Sequence, residues 1–339
     1  MDKGIIHALQ LDPRAAFQKI AAVLGISEQT VARRYRRLRG DGLLRVIGMV
    51  DPRHVGQPEW MVRVGCRPGG TGPLAEALAR RDDVSWVTLS AGGSEVTCSV
   101  RSRSARQRDD LLIQRLPATS QVLSMTAHAV LHRFLGGSAT DWTGYGSTLT
   151  AQQIAALTPE RGVAHEAEAV ALTPEDQPLL GELANDGRAS YATLAAAAGI
   201  SQGRATRRVA ALHQAGLLYF DVDLAAEPLG FATAALLWLT VAPASLAAVG
   251  SQIADHPEVP FAAAVSGSAN LVASVICRDT EALYQYVTTR ISAAEGVRQL
   301  EISPVLRRVK QAGTWVEGQR LAAGPRASRG TPARRPVSP

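Results

Sequence analysis

The chain has 339 residues, 46% hydrophobic and 19% charged, with 36 Lys and Arg against 30 Asp and Glu for a formal net charge of +6. That composition excludes a disordered or collagen-like chain and suits two to four globular domains. Cys66, Cys98 and Cys277 are too scattered for a disulfide framework or a zinc site, and buried free thiols are expected.

Met1 to His7 lack the basic region and long apolar run of a signal peptide, so a cytoplasmic protein is expected. Ile5, Ile6 and Leu9 give a first helix an apolar face. A second helix is predicted over 16–24, ending at Gly25, where a helix C-terminus favours a residue free to adopt positive φ. Ser27 then caps a third helix over 28–39. Helix, glycine turn, serine cap and helix form the helix-turn-helix pattern.

Val31, Tyr35 and Leu38 make the inward stripe of the third helix. Around it stand Gln29, Thr30, Arg33, Arg34, Arg36 and Arg37, with Arg39 beyond and only Glu28 acidic. Guanidiniums fork onto guanine edges or phosphate oxygens, so double-stranded DNA is the expected partner. The bland alternative is a solvated helix face.

A strand is predicted over 45–50. From Met61 to Val130, strands and helices follow the βαββαβ order of the ferredoxin-like plan. His128 and His132 fall in its last strand, where four residues separate them too far to share a metal, and no metal site is expected. Residues 136–171 carry Gly136-Gly137-Ser138, Gly144-Tyr145-Gly146-Ser147 and Thr158-Pro159 and read as a linker with a short helix over 151–157.

The chain then repeats itself. Residues 192–218 align without a gap on 18–44. Gly199-Ile200-Ser201, Arg207-Arg208 and Gly216-Leu217-Leu218 match Gly25-Ile26-Ser27, Arg33-Arg34 and Gly42-Leu43-Leu44. Upstream, Asp176, Asp186 and Arg188 match Asp2, Asp12 and Arg14. The second reading helix offers Gln202, Arg204, Arg207 and Arg208, but Ala210 and Ala211 replace Arg36 and Arg37, so a weaker grip on phosphate is expected.

Strands are predicted over 217–224, 234–241, the residues before Ser266-Gly267-Ser268, 271–277 and 297–302, with helices over 245–255 and 280–291. The apolar run Phe231 to Gly250 is interrupted by Pro243 and diluted by Thr233, Thr240 and Ser245; it suits a strand and a helix rather than a membrane span. The tail from Gly318 holds five arginines and no acid and is expected to be disordered.

The expected fold class is α+β. Two winged-helix-like helix-turn-helix domains (1–45 and 172–219) alternate with two ferredoxin-like sensor domains (46–135 and 220–316), with the linker at 136–171 and the basic tail at 317–339. Each sheet has one face covered by its helices and needs a partner for the other, so the two copies should pack as a pseudo-dimer, sheet against sheet.

On Gly25-Ile26-Ser27, Arg33-Arg34, Gly42-Leu43-Leu44, their second copies and the turn Ser266-Gly267-Ser268-Ala269-Asn270-Leu271, the chain resembles the Lrp/AsnC family of prokaryotic regulators. The resemblance implies a transcriptional regulator whose dimers join DNA-binding arms and assemble further into octamers. It also implies an amino acid or related small molecule bound near that turn. Carried over by position, the effector contacts are Gly92, Ser94 and Glu95 in copy one, and Gly267, Ser268 and Asn270 in copy two.

Two features depart from the family. Gly93-Ser94 and Ser268-Ala269 replace its acidic and aromatic residues, and both glycines equally suit a tight turn between strands. The fusion of two units makes a dimer or tetramer of chains the expected homo-oligomer, four chains equalling one octamer.

The sequence holds no GxxxxGK[ST], nucleophile elbow or HExxH, and its seven histidines are scattered, so neither an enzyme nor a cofactor is expected. RNA binding is disfavoured because no paired aromatics lie on a middle strand. The remaining alternative is a ligand-binding assembly protein with degenerate helix-turn-helix units.

Overall fold

The computed structural model describes residues 1–51, 56, 58–102, 104–136, 142, 144, 146, 148–159 and 170–322. Copy one opens with α1 (Asp2–Leu11), α2 (Phe17–Leu24) and α3 (Glu28–Gly40). Gly25 closes α2 at φ +66°, and the Ser27 hydroxyl accepts from the Thr30 amide at 3.2 Å to start α3. After β1 (Leu44–Val50) come β2 (Glu59–Cys66), α4 (Thr71–Ala79), β3 (Val84–Ser90) and β4 (Glu95–Arg101). Next, α5 (Ala105–Asp109) runs through a π-helical turn into α6 (Leu116–Ala118), and β5 (Val122–Leu135) ends the copy.

Between the copies lies α7 (Ala151–Leu157), capped by the Thr150 hydroxyl. Copy two repeats the order with α8 (Gln177–Asn185), α9 (Tyr191–Ala198), α10 (Gln202–Gln214), β6 (Leu218–Leu224), β7 (Thr233–Val241) and α11 (Leu246–Ala254). It continues through β8 (Phe261–Val265), β9 (Leu271–Cys277), α12 (Thr280–Gln285) and β10 (Val297–Gln311). Phe231 to Gly250 thus holds a strand and the start of a helix, and no described helix is long and apolar enough to cross a membrane.

Three expectations are revised. The last strand runs to Gln311 instead of ending at 302. The tail is not irregular from 317: β11 (Thr314–Glu317) and β12 (Arg320–Ala322) pair as a hairpin, and the rest of the expected tail, 323–339, lies outside the described residues. The linker is more than a spacer, because Trp142, Leu149 and Leu157 are buried with Ile5, Leu9 and Ile20 in the core of the first helix-turn-helix.

The two copies interlock twice. β1 and β6 pair antiparallel from Leu44↔Leu224 to Val50↔Leu218. Beyond this ribbon, eight strands close in the order β10-β3-β4-β2-β5-β8-β9-β7, with β7 returning to β10. The long strands make the closure. β5 pairs with β2 of its own copy and then with β8; β10 pairs with β7 and then with β3. Pro304 marks the changeover on β10, the last residue opposite β7 before Val305 meets Ser90 of β3. A residue without an amide hydrogen is tolerated where ladder bonding changes partner.

The sheets therefore do face one another, as the walls of one barrel. Helices cover the outside over two aliphatic cores. The interior is asymmetric: Met61, Leu236, Trp238, Val265 and Val272 fill part of it, while β2 and β4 of copy one contribute Glu59, Thr97, Ser99 and Arg101.

Candidate functional site

The third helix of each copy buries the apolar stripe expected from the sequence. Val31, Tyr35 and Leu38 are buried in copy one, as are Ala205, Val209 and Leu212 in copy two. Gln29, Thr30, Arg33 and Arg36 line one open cleft on the outer face of α3, with Gln29, Arg33 and Arg36 exposed. The Thr30 hydroxyl bonds Ser27 Oγ at 2.9 Å, and Arg36 Nε donates to the Ala32 carbonyl at 3.3 Å.

Arg34 and Arg37 are used differently. Arg34 Nη1 and Arg37 Nη2 reach the two Asp2 oxygens at 2.7 and 2.5 Å, and so tie α1 to α3. Copy two repeats the brace, Arg208 holding Asp176 at 2.7 Å. The structure thus turns Arg34 and Arg208 inward onto the acidic residue at the head of each unit, while Arg37 shares Asp2 and stays exposed. In copy two Gln202, Arg204 and Arg207 remain exposed, with Arg204 at 3.9 Å from Glu175.

The positions expected to contact an effector fall on two β-turns, each set against the long strand of the other copy. In copy one, Gly92 adopts φ +66° and Ser94 Oγ donates to the Ala91 carbonyl at 2.8 Å. Glu95 accepts from Arg63 Nε at 3.0 Å, Ser90 Oγ at 3.1 Å and Thr97 Oγ1 at 3.2 Å. Arg63 also pairs with Glu301 of copy two at 2.5 Å and lies over the Trp238 ring at 4.8 Å.

In copy two, Gly267 has φ +113°, and a Cβ there would come within 2.6 Å of His128 Nδ1. That nitrogen donates to the Ser266 carbonyl at 2.6 Å. The Ser268 carbonyl accepts from Thr240 Oγ1, and Asn270 bonds both the amide and the carbonyl of Val241 at 2.8 Å. Glu95 and Asn270 are therefore committed to neighbours, and Gly267 is required by close approach as well as by its dihedral angle.

Two features escaped the sequence reading. The first is a reciprocal clasp between the helix-turn-helix units. Arg188 donates to the Pro13 and Ala15 carbonyls at 2.7 and 2.8 Å, and Arg14 donates to the Gly187 and Ala189 carbonyls. Arg188 also stacks over Phe17 at 4.6 Å, and Arg14 over Tyr191 at 5.0 Å. The repeated Asp-x-Arg at 12–14 and 186–188 was its signal in the sequence.

The second is an ion cluster in the barrel wall. Buried Glu59 accepts from Arg101 Nε at 2.9 Å and Ser99 Oγ at 2.8 Å, and it pairs with buried Arg133. Burial alone would raise its carboxyl, but Arg101, Arg133 and Ser99 outweigh burial and bring it down to about 2. A cavity of about 150 Å³ adjoins this cluster, lined in part by the β1–β6 ribbon. Among the described residues, no group of three His, Cys, Asp or Glu side chains gathers to hold a metal.

Comparison with known proteins accords with this geometry. The AsnC-type helix-turn-helix domain matches residues 1–39 and 172–213, and the Lrp/AsnC ligand binding domain matches 234–315. An uncharacterized HTH-type transcriptional regulator of Pyrococcus furiosus is 27% identical over 34% of this chain and 80% of its own length. The leucine-responsive regulatory protein of Rhizobium meliloti is 29% identical over 42% of this chain and 94% of its own. Each such match spans less than half of this chain and most of the relative. The crystal structure of the siroheme decarboxylase NirDL matches both copies together, covering 92% of each chain at a TM-score of 0.61 and 14% identity, a likeness of fold.

Proposed function

We propose that this chain, which belongs to the Lrp/AsnC family, is a sequence-specific DNA-binding transcriptional regulator whose two copies form one built-in dimer and whose barrel responds to a small-molecule effector. The observation that carries the proposal is the exposed cleft of Gln29, Thr30, Arg33 and Arg36 on the reading helix of an AsnC-type helix-turn-helix. Polar side chains near the start of such a helix reach base edges, and flanking guanidiniums neutralise phosphates.

Arg208 is braced by Asp176 as Arg34 is by Asp2, and copy two differs in carrying alanines at 210 and 211 where copy one has Arg36 and Arg37. Copy two contributes a weaker second half-site. The turns at Gly92, Ser94 and Glu95 and at Gly267, Ser268 and Asn270 act by coupling the copies, because each lies against the other copy's long strand. An amino-acid-sized effector is favoured over a macrocycle of the porphyrin class: the barrel cavity, about 150 Å³, is below the roughly 300–1,000 Å³ of sites for larger ligands. The chain then senses without catalysing, although the NirDL likeness shows that the same fold serves an enzyme.

Assembly of several chains follows from the apolar side chains left on the barrel exterior. Leu131 and Leu306 are 67% and 61% exposed at equivalent positions of β5 and β10, with Leu123 and Ile113 nearby in chain order.

The test is selection of bound fragments from a random duplex library, then titration of the winner at several salt concentrations. Arg33→Glu with Arg36→Glu should abolish selective binding, and each lost phosphate contact should flatten the log–log salt slope by about 0.9. Binding that survives both substitutions, or no enriched motif at all, overturns the regulator reading in favour of a ligand-binding assembly protein.

A further inference from the structure

The duplication supplies an internal control for every barrel position. Arg133 on β5 stands opposite Ala263, and Arg308 on β10 stands opposite Thr88, so the two arginines are register-equivalent. Glu59 lies opposite Arg101 at the start of β2, and its equivalent Ala234 lies opposite Ile276 on β7. Copy one therefore has a complete ion cluster, with Glu59 serving Arg101 and Arg133. Copy two keeps only the arginine, because the carboxylate has become Ala234 and the second arginine Ile276.

Arg308 consequently faces the cavity without its counter-ion. Among the described residues it makes no ion pair, and its Nη1 donates to the neutral side chain of Gln311 at 3.1 Å. The nearest acid in charge terms is Asp223 of β6, which lines the same cavity but lies outside ion-pair distance. Asp223 is 3% exposed; its Oδ1 accepts from Gln311 Nε2 at 3.4 Å and the Thr314 hydroxyl bears on the carboxyl, while Oδ2 makes no hydrogen bond of good geometry. The cavity thus carries a guanidinium outside any ion pair among the described residues, linked to Asp223 only through the neutral Gln311 side chain, and a carboxyl oxygen without a hydrogen bond. Met61, Leu236, Phe261, Ile276 and Val305 make much of the remaining wall apolar.

We infer that this cavity is a binding site for a small monocarboxylate with an apolar body, its carboxylate taking the place at Arg308 that Glu59 occupies at Arg133. The guanidinium fork matches a carboxylate, and one unpaired cation in an apolar cavity suits a monoanion better than a phosphate dianion. Asp223 Oδ2 supplies the second polar contact, to a donor on the ligand or, when protonated, as donor to the carboxylate. Besides Arg308 and Asp223, the charged groups at the cavity are Glu59 on β2, Arg101 on β4, Arg133 on β5 and Asp221 on β6, with the Tyr219 phenol beside them. The site lies inside the barrel, apart from the turns at 92–95 and 267–270; the inference rests on the effector reading of that cavity and not on DNA binding.

The experiment titrates the full chain with acetate, isovalerate and phenylacetate, using the neutral isostere isovaleramide as control, by calorimetry and thermal shift. At least one carboxylate is expected to bind saturably while isovaleramide does not. Arg308→Gln should weaken that binding about tenfold or more, the usual scale for a lost charge-assisted hydrogen bond. Ala234→Glu rebuilds the copy-one ion pair and should expel the ligand while raising the melting temperature, so loss of binding is distinguishable from loss of fold. No saturable binding by any of the carboxylates, or binding indifferent to both Arg308→Gln and Ala234→Glu, overturns the inference.

Discussion

Glu59→Gln isolates the electrostatics of the barrel wall. Glu59 is 7% exposed and is the only carboxylate paired with Arg101 and Arg133 among the described residues, and both guanidiniums are themselves largely buried. Removing one partner of a buried pair costs about 3–5 kcal/mol, because the remaining charge keeps its desolvation penalty without compensation. The depressed carboxyl of Glu59 points to a similar magnitude. Its carboxyl falls from 4.5 to about 2, which at about 1.36 kcal/mol per unit is roughly 3 kcal/mol.

The sign follows from linkage. A depressed acid stabilises the fold fully above its unfolded value near 4.5, and the contribution is lost as pH falls through about 2. Urea denaturation of wild type and Glu59→Gln at neutral pH should therefore differ by about 3 kcal/mol with little change in slope. At about 2.1 cal/mol/K of unfolding entropy per residue, a chain of 339 residues shifts by about 1.4 °C per kcal/mol, so the melting temperature should drop by roughly 4 °C. The gap should narrow between pH 4.5 and 2. A difference below about 1 kcal/mol, or one that stays constant with pH, would refute the assignment of Glu59 as the shared counter-ion.

Asp223 should behave oppositely. Burial, with Asp221 adding to it, pushes its carboxyl up to about 8, so the fold loses stability as pH rises from 3.8 toward 8. Asp223→Asn should gain on wild type across that window, and parallel stability curves would contradict it. Arg188→Ala removes two charged bonds to the Pro13 and Ala15 carbonyls and the stack on Phe17; a loss of about 2–4 kcal/mol in denaturation midpoint analysis is expected, with Arg188→Lys recovering only part. The three cysteines are buried and free, and burial pushes the Cys98 thiol up to about 12 and Cys277 to about 11. Iodoacetamide at pH 8 should leave both unmodified in the native protein and label all three thiols after unfolding, as read by intact mass.

Local rules carried the sequence reading where a structure is made by near neighbours. Gly25 and Gly199 close their helices in the left-handed region and Ser27 and Ser201 cap the next, because caps depend on residues three or four apart. The 151–157 helix and the 271–277 strand were legible for the same reason. The repeat itself announced two equivalent units, and the arginines of α3 pointed to a polyanion.

What depended on distant residues was not legible. Pro304 and the charges after Ile302 look like the end of a strand, yet β10 continues because β3 of the other copy replaces β7 as its partner. Arg33 and Arg34 are adjacent and chemically identical, and only the position of Asp2 on α1 leaves the first open and turns the second inward. Arg133 and Arg308 are likewise the same residue at equivalent positions; Glu59 quenches one, and Ala234 leaves the other facing a cavity. Sequence determined the elements and their duplication because propensity, capping and periodicity are short-ranged. Tertiary structure alone decided which charges are spent and which are free, because ion pairing depends on distance in space rather than along the chain.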